Sequence, residues 1–178
     1  MTTNIDYSAL EAAFQNTSYE ISHWLNRETG QVLASDDWSR SEARKLASPY
    51  DTDDPDIRLA WCVLWHDGEL ESEDPDESAK EHEMVKAIMA PMIRVPQADS
   101  HDEYNLMVEF AATVRDRHVR ELLEVALDGR GAFQRFKKVL ARYPKERERW
   151  FAFRDEDLRR QIDDWLETVG LLETEGDD

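Results

Sequence analysis

Helical periodicity is clearest in the segment GRGAFQRFKKVLARYP, residues 129–144. Its apolar residues recur at steps of three and four, as they do on one face of a helix. The helix is predicted to start at Gly131 and to stop before Pro144, because proline cannot continue a helix. The face predicted to be buried consists of Phe133, Phe136, Val139 and Leu140.

The same spacing extends on both sides of this segment. Downstream, WFAFRDEDLRRQIDDWLETVG, residues 150–170, predicts a last helix with Asp155 as its cap and Gly170 as its stop. Upstream, Ser100 and Glu103 are predicted to form a capping box. Two apolar stripes follow it: Tyr104, Met107, Phe110, Ala111 and Val114, then Val119, Leu122, Leu123 and Ala126.

The N-terminal part is predicted to contain a helix and a β-hairpin. The helix is expected at residues 7–15, where Asp6 or Ser8 can cap its first turn. In EISHWLNRETGQV, residues 20–32, apolar and polar side chains first alternate, and a turn follows. Gly30 can adopt the left-handed conformation that a hairpin loop of this length needs, so the segment predicts two paired strands.

The middle of the chain, residues 36–90, carries two Asp-Pro-Asp helix starts. They predict helices at Pro55–His66 and Pro75–Ala90. The first helix is apolar on nearly every side and carries Trp61 and Trp65 one turn apart. A helix of this kind must bury its apolar surface against another surface, so hydrophobic docking is predicted at these two tryptophans. The sequence leaves open whether the cover is the domain itself, a second copy or a partner.

Together with a short third strand in MIRVP, residues 92–96, these elements predict an α+β fold that is mostly helical. An N-terminal helix, the β-hairpin and this strand precede a C-terminal cluster of about four helices. The predicted organisation is a single domain over residues 1–170. It has a variable, acidic helical insertion at 36–90, a helical core at 92–170 and an acidic tail at 171–178.

Four segments resemble those of a known family, in this order: EISHWLNRETGQV, DSHDEYNLMVEF, GRGAFQRFKKVL and WFAFRDEDLRRQIDDWLE. They are similar to the bacterial Uncharacterised Protein Family 0158. The resemblance covers about residues 5–35 and 92–170, whereas residues 49–78 depart from the family's pattern. Because the family has no assigned activity, the resemblance implies the architecture and a bacterial intracellular context, without any chemistry. Its most specific residues are Gly129, Gly131, Phe133, Phe136, Trp150, Phe153, Arg154, Asp155 and Trp165.

The composition of the 178-residue chain excludes several classes of protein. Its apolar fraction of 40% and its six tryptophans can support a packed core, unlike the composition of disordered chains. A lone cysteine, Cys62, excludes a disulfide scaffold and a thiolate zinc cluster. No stretch approaches the roughly 18 apolar residues of a membrane span, and the start does not resemble a signal peptide. We therefore expect a cytoplasmic protein without membrane contact.

Charge is unevenly distributed along the chain, whose net charge is −18. Residues 51–83 hold thirteen acidic and two basic residues, whereas residues 129–160 hold eleven basic and five acidic ones. Arg135, Lys138 and Arg142 lie at helical steps and are predicted to form a basic stripe. The stripe is either a solvated face paired with carboxylates, or a surface for nucleic acid or an acidic partner.

Two short motifs are candidate binding sites. In Gly129-Arg130-Gly131, free amides at a helix start and the Arg130 guanidinium can form a nest for an anion. The alternative is that Gly129 stops one helix, while Gly131 lets two helices pass closely. Arg154, near Trp150 and Phe153, belongs either to a docking platform or to a capped helix with aromatic core residues.

No catalytic residue, metal site or cofactor is predicted, because the five histidines lack paired ligand spacing and no nucleophile motif occurs. The predicted function is a non-enzymatic intracellular binding or regulatory protein, with a protein partner or self-association. The first alternative is nucleic-acid binding through the basic stripe. The second is a metal- or anion-dependent hydrolase that uses Arg130 and nearby carboxylates.

Overall fold

The computed structural model describes residues 4–70 and 72–172, and the chain divides into two compact units. Unit 1 consists of the residues up to Gln97 together with those from Val169 onward, and unit 2 consists of Ala98–Thr168. The described residues form eight α-helices, one short 3-10 helix and a three-stranded sheet. The predicted α+β class with a mostly helical chain is therefore confirmed.

Unit 1 begins with helix α1, Tyr7–Phe14, whose first turn is capped by the Asp6 side chain. Strands β1, Ser22–Asn26, and β2, Val32–Ser35, form the predicted hairpin. Strand β3, Met92–Arg94, pairs antiparallel with the other edge of β1, so the strand order is β2-β1-β3. This pairing confirms the predicted third strand in MIRVP.

Gly30 is required by the hairpin loop for two reasons. Its φ of +75° lies in the left-handed region, which other residues rarely adopt. A Cβ atom at this position would lie 2.2 Å from the backbone oxygen of Asn4, and the amide of Asp6 donates to the Gly30 oxygen at 3.1 Å. The segment that leads into α1 therefore crosses directly against this glycine.

The middle of the chain contains three helices and a 3-10 turn. Helices α2, Asp37–Ala43, and α3, Pro55–His66, flank the 3-10 turn at Pro49–Asp51, and α4 spans Pro75–Met89. Helix α3 has its predicted bounds, and α4 ends one residue earlier than predicted. The sequence analysis missed α2 and the 3-10 turn, because both are too short to show an apolar period.

Helix α3 forms the centre of the unit 1 core. On one side Leu59 and Val63 pack with Leu33 of β2. On the other side Trp61 and Leu64 belong to a buried cluster that includes residues of α2 and α4. The protein's own helices and sheet therefore cover the apolar faces of α3. Cys62 lies in the same cluster, and its burial raises the pKa of the thiol to about 12, so the thiol stays protonated.

Unit 2 contains four helices: α5, Ser100–Thr113, α6, Arg117–Leu127, α7, Ala132–Arg142, and α8, Pro144–Thr168. Their core is aromatic. Phe110, Phe136 and Trp150 meet edge to face, with ring centroids 5.1–6.3 Å apart. The predicted cluster of about four C-terminal helices is confirmed.

Two predicted helix starts in this unit were wrong. Asp155 does not cap a last helix, because it lies inside α8, which begins at Pro144. Proline suits the first position of a helix, where its fixed φ is favourable and its missing N–H is not needed. Helix α5 is capped by Asp99, which accepts from the amide of His101 at 2.9 Å, so Ser100 is its first helical residue. Residues 173–178 of the predicted acidic tail lie outside the described residues.

Candidate functional site

The turn between α6 and α7 holds the side chain of Arg135. Its Nε donates to the Ala126 oxygen at 3.0 Å, and its terminal nitrogens donate to the oxygens of Asp128, Gly129 and Arg130. A helix leaves its last carbonyl groups without partners, and a guanidinium carries only donors. Arg135 therefore closes the end of α6 and the turn that follows it.

The Gly129-Arg130-Gly131 motif lies in the turn that Arg135 closes. Its carbonyl groups, together with that of Asp128, bind a cation of the chain itself, whereas the predicted anion nest at the amides of the α7 start stays a prediction. Gly129 is left-handed, with φ +74°, as expected for a helix stop. Gly131 is also left-handed, with φ +78°, and this conformation explains the glycine. A close approach of two helices does not explain it, because a Cβ atom at Gly131 would have its nearest neighbour 3.6 Å away. Arg130 is exposed.

The predicted basic stripe loses one of its three members. Arg135 is half-buried and bound to carbonyl groups, whereas Lys138 and Arg142 are exposed on α7. Arg149, farther along, pairs with Glu146 at 2.5 Å and donates to the Thr113 hydroxyl at 3.2 Å. Arg135 and Arg149 therefore make contacts within the protein, whereas Lys138 and Arg142 face solvent.

Trp61 and Trp65 do not form one exposed surface. Trp61 is 2% exposed and packs inside unit 1. Trp65 is half-buried, donates from its indole nitrogen to Glu81 at 3.1 Å and meets the His82 ring edge-on. A hydrophobic docking role for Trp61 does not fit this burial, because a docking side chain needs a surface that the partner can reach.

A concave site lies between α5, α7 and α8 in unit 2, and we call it the α5–α7–α8 groove. Its volume is about 230 Å³. Its apolar floor consists of four side chains that also belong to the buried core of unit 2: Met107, Phe136, Leu140 and Trp150. The ring of Phe151, which is 49% exposed, lies at its edge. The four floor side chains are at most 5% exposed, so the apolar side chain of the groove that a partner can reach is Phe151.

Charged side chains surround this floor. Lys137 of α7 and Arg147 and Arg154 of α8 line the groove, and Glu103 of α5 is the one carboxylate that lines it among the described residues. Within the described part of the chain, none of the three cations has a side-chain hydrogen bond or an ion pair. Each can therefore bind an anionic group without breaking an internal contact.

Among the predicted binding residues, Arg154 lines this groove, whereas Arg130, Arg135, Lys138 and Arg142 do not. The sequence analysis missed Lys137, and it gave Arg147 no separate role. A signal was present in α8, where Arg147, Trp150, Phe151 and Arg154 follow the i, i+3, i+4, i+7 spacing of one helix face. Phe153 belongs to the partly buried residues of the unit 2 core, as the alternative interpretation expected.

Residues 4–70 and 72–172 contain neither a metal-binding cluster nor a membrane-spanning helix. No group of three or more His, Cys, Asp or Glu side chains is arranged to hold a metal ion there. In the same part of the chain, no helix is long and apolar enough to cross a membrane.

Comparisons with known proteins point to one family. The model of Uncharacterised protein family UPF0158 matches residues 45–173. A UPF0158 protein of Pseudomonas aeruginosa is 30% identical over 98 residues, which are 54% of this chain and 61% of that relative. The matched segment thus spans less than two thirds of the relative's length. No solved structure matches the chain.

The matched range differs in extent from the resemblance described above. It begins after the hairpin, and it includes residues 49–78, which we expected to depart from the family. It also contains all four helices of unit 2 and the whole α5–α7–α8 groove. On this match, which covers well over half of the chain, the protein belongs to the uncharacterised protein family UPF0158.

Proposed function

We propose that this protein is a non-enzymatic binding protein that holds a protein partner in the α5–α7–α8 groove. The observation that carries the proposal is the combination of the exposed Phe151 ring with three cations that line the same groove and have no internal partner among the described residues. Binding sites combine buried apolar contact with a few polar groups that fix orientation. A partner that excludes water from the floor also strengthens its ion pairs with the surrounding cations.

The charge of the protein favours a protein partner over nucleic acid. The chain has a net charge of −18, and residues 98–168 contain sixteen carboxylates against fourteen Lys and Arg residues. Nucleic-acid affinity depends on neutralising many phosphates along a backbone, which a basic surface does best. Here three cations converge on a recess beside a carboxylate, an arrangement that suits a compact contact better.

Photo-crosslinking at the groove tests this proposal. A benzophenone amino acid replaces Phe151 at the groove edge, and in a matched control it replaces Val125, which is 73% exposed on α6. In lysate of the source organism, we expect a protein crosslink at position 151 that position 125 does not give. Mass spectrometry identifies the crosslinked protein, which is then purified for a direct binding measurement.

Charge reversal then tests the purified pair. We expect the Lys137→Glu/Arg154→Glu variant to weaken binding by at least about tenfold, a loss of 1.4 kcal/mol. Circular dichroism checks that this variant keeps its helices. The proposal is wrong if positions 151 and 125 crosslink the same proteins, or if the folded double variant binds the partner with unchanged affinity.

A further inference from the structure

We infer that the partner in the α5–α7–α8 groove is a second copy of this chain, whose helix α4 lies against α8 at the groove. This inference rests on the proposed function, because it names the protein that the groove holds. It follows from two helix faces that match in spacing, in charge and in exposure to solvent.

The face of α8 that borders the groove carries two cations and one exposed ring. Arg147 and Arg154 lie seven residues apart, which is about 10.5 Å along a helix. Both line the groove, and neither has a side-chain hydrogen bond or an ion pair within residues 4–70 and 72–172. The Phe151 ring lies between them in the sequence and is 49% exposed. A matching partner has two anions at the same separation and leaves space for a ring between them.

The outer face of α4 has the same spacing with the opposite charge. Asp76 and Glu83 also lie seven residues apart, and Ala79 and Lys80 lie between them. All four residues are exposed, and neither carboxylate has a side-chain hydrogen bond or an ion pair in the described part of the chain. Val85 is the buried residue of α4, and at about 100° per residue this face points away from it.

The two faces complement each other when the helices lie side by side. Both follow an i, i+3, i+4, i+7 pattern, which reads the same in either direction, so both carboxylates of α4 can meet the two arginines of α8. The small side chain of Ala79 leaves space for the Phe151 ring. Lys80 adds a cation that can pair with Glu103, which lines the groove. Ion pairs between exposed side chains are individually weak, so we expect a weak, salt-sensitive association.

A contact of two grooves with each other does not fit the charges. It would set Lys137, Arg147 and Arg154 against the same three cations of the second copy, and like charges repel. In the contact of α4 with the groove, each copy instead contributes a different face. Loss of either face therefore abolishes self-association, whereas two variants that lack different faces can still complement each other.

Analytical ultracentrifugation of the purified wild-type chain is the first test. We expect its weight-average mass at about 100 µM to be at least about 1.5 times that of the monomer, which corresponds to a Kd of about 100 µM or tighter. The mass should fall toward that of the monomer as the NaCl concentration rises. A wild-type chain that stays monomeric at this concentration would overturn the inference.

Reversal of charge on each face tests which surfaces meet. The Arg147→Glu/Arg154→Glu variant has an acidic groove face, and the Asp76→Lys/Glu83→Lys variant has a basic α4 face. Each variant alone is expected to remain monomeric, because its two faces then carry the same charge. Their equimolar mixture should associate, since each face of one variant opposes a face of opposite charge on the other. A mixture of folded variants that does not associate would contradict the proposed contact.

The matched control is Lys138→Glu/Arg142→Glu, which makes the same change in net charge on exposed positions outside the groove. It is expected to associate like the wild type. Circular dichroism checks that every variant keeps its helices. A control that is as monomeric as the groove variant would show that net charge, and not the α4 contact, governs association.

A crosslink that needs no charge variant gives an independent result. A purified chain with a benzophenone amino acid in place of Phe151 is mixed with wild-type chain labelled with a heavy nitrogen isotope. Mass spectrometry then distinguishes crosslinks between copies from crosslinks within one copy. We expect crosslinks to residues 76–83 of the labelled copy. Crosslinks confined to one copy, or to other segments of the labelled copy, would refute the inference.

These outcomes separate the inference from the proposed function. If position 151 crosslinks a different protein in lysate while the purified chain stays monomeric, the inference fails and the proposed function stands. If positions 151 and 125 also crosslink the same proteins in lysate, both fail.

Discussion

Individual side chains in unit 2 have roles that depend on which backbone groups they meet. Arg135 and Lys138 lie three residues apart on α7, and both are basic. Arg135 contacts four carbonyl groups at the end of α6 and in the following turn, whereas Lys138 is exposed to solvent. Replacement of Arg135 therefore leaves backbone acceptors without donors, and replacement of Lys138 does not.

We predict that Arg135→Gln lowers the free energy of unfolding by about 1.5–3 kcal/mol, the usual range for hydrogen bonds to a charged group. The matched control Lys138→Gln is expected to change it by less than about 0.5 kcal/mol, as for most surface substitutions. Urea unfolding followed by circular dichroism measures both. Equal effects of the two variants would contradict the structural role of Arg135.

Two glycines with nearly the same φ make a second residue-scale comparison. A left-handed conformation costs an alanine about 1–2 kcal/mol. Gly129→Ala is expected to incur this cost alone, because its Cβ meets nothing within 4 Å. Gly30→Ala adds a clash with the Asn4 backbone, so we expect it to be clearly more destabilising in thermal unfolding. A Gly30 variant no worse than the Gly129 variant would show that this crossing can relax.

At the scale of single elements, the short helices are defined by their caps. Helix α2 has only seven residues, too few for an isolated helix to be stable in water. Asp36 accepts from the Ser39 amide at 2.8 Å, and the Ser39 hydroxyl accepts from the Asp36 amide at 2.9 Å. This capping box, together with the burial of Ser39 and Ala43, holds α2 in place.

The Asp36 cap predicts a dependence on pH. Hydrogen bonds from the backbone and side chain of Ser39 hold the pKa of Asp36 below its usual 3.8. A lowered pKa in the folded state means that the stabilisation is complete above pH 3.8 and disappears as the pH falls through the folded-state value. Asp36→Ala should therefore cost about 1 kcal/mol at pH 7, and this cost should shrink below about pH 4.

Asp36→Asn is the control for this cap, because its amide oxygen still accepts a hydrogen bond but does not titrate. Urea unfolding at pH values from about 3 to about 7 should give a constant difference between the Asp36→Asn and Asp36→Ala variants. A constant difference between wild type and Asp36→Ala over the same range would argue against a charged cap.

The whole molecule consists of two units that are linked twice by the chain. The chain passes from unit 1 into unit 2 after Gln97 and returns after Thr168. Helix α8 extends over 25 residues up to this second link. A single domain over residues 1–170 remains our prediction.

We predict one cooperative unfolding transition, tested by truncation of one core residue in each unit. Leu59→Ala in unit 1 and Phe136→Ala in unit 2 each remove a fully buried side chain, which costs about 2–5 kcal/mol. Each variant is expected to lower a single urea midpoint, and Leu59→Ala should also speed hydrogen exchange in α7. Unchanged exchange in α7 together with two separate transitions would show independent domains.

Local chemistry in the sequence was enough to specify most elements of this protein. Asp54 and Pro55 start α3 and Gly68 follows its end, so its predicted bounds agree with the observed Pro55–His66. The hairpin, the third strand and α7 were specified in the same way. Caps, turn residues and apolar periods act over a few positions, which is why they can be read along the chain.

Only the tertiary structure decided which cations are available for binding. Arg135 follows the same helical spacing as Lys138 and Arg142, but the fold directs it to the carbonyl groups of another helix end. The groove brings Lys137 together with Arg147 and Arg154 from a second helix, and with Glu103 from a third. The physical reason is that charge pairing and access to solvent depend on distances between elements, which local periodicity does not contain.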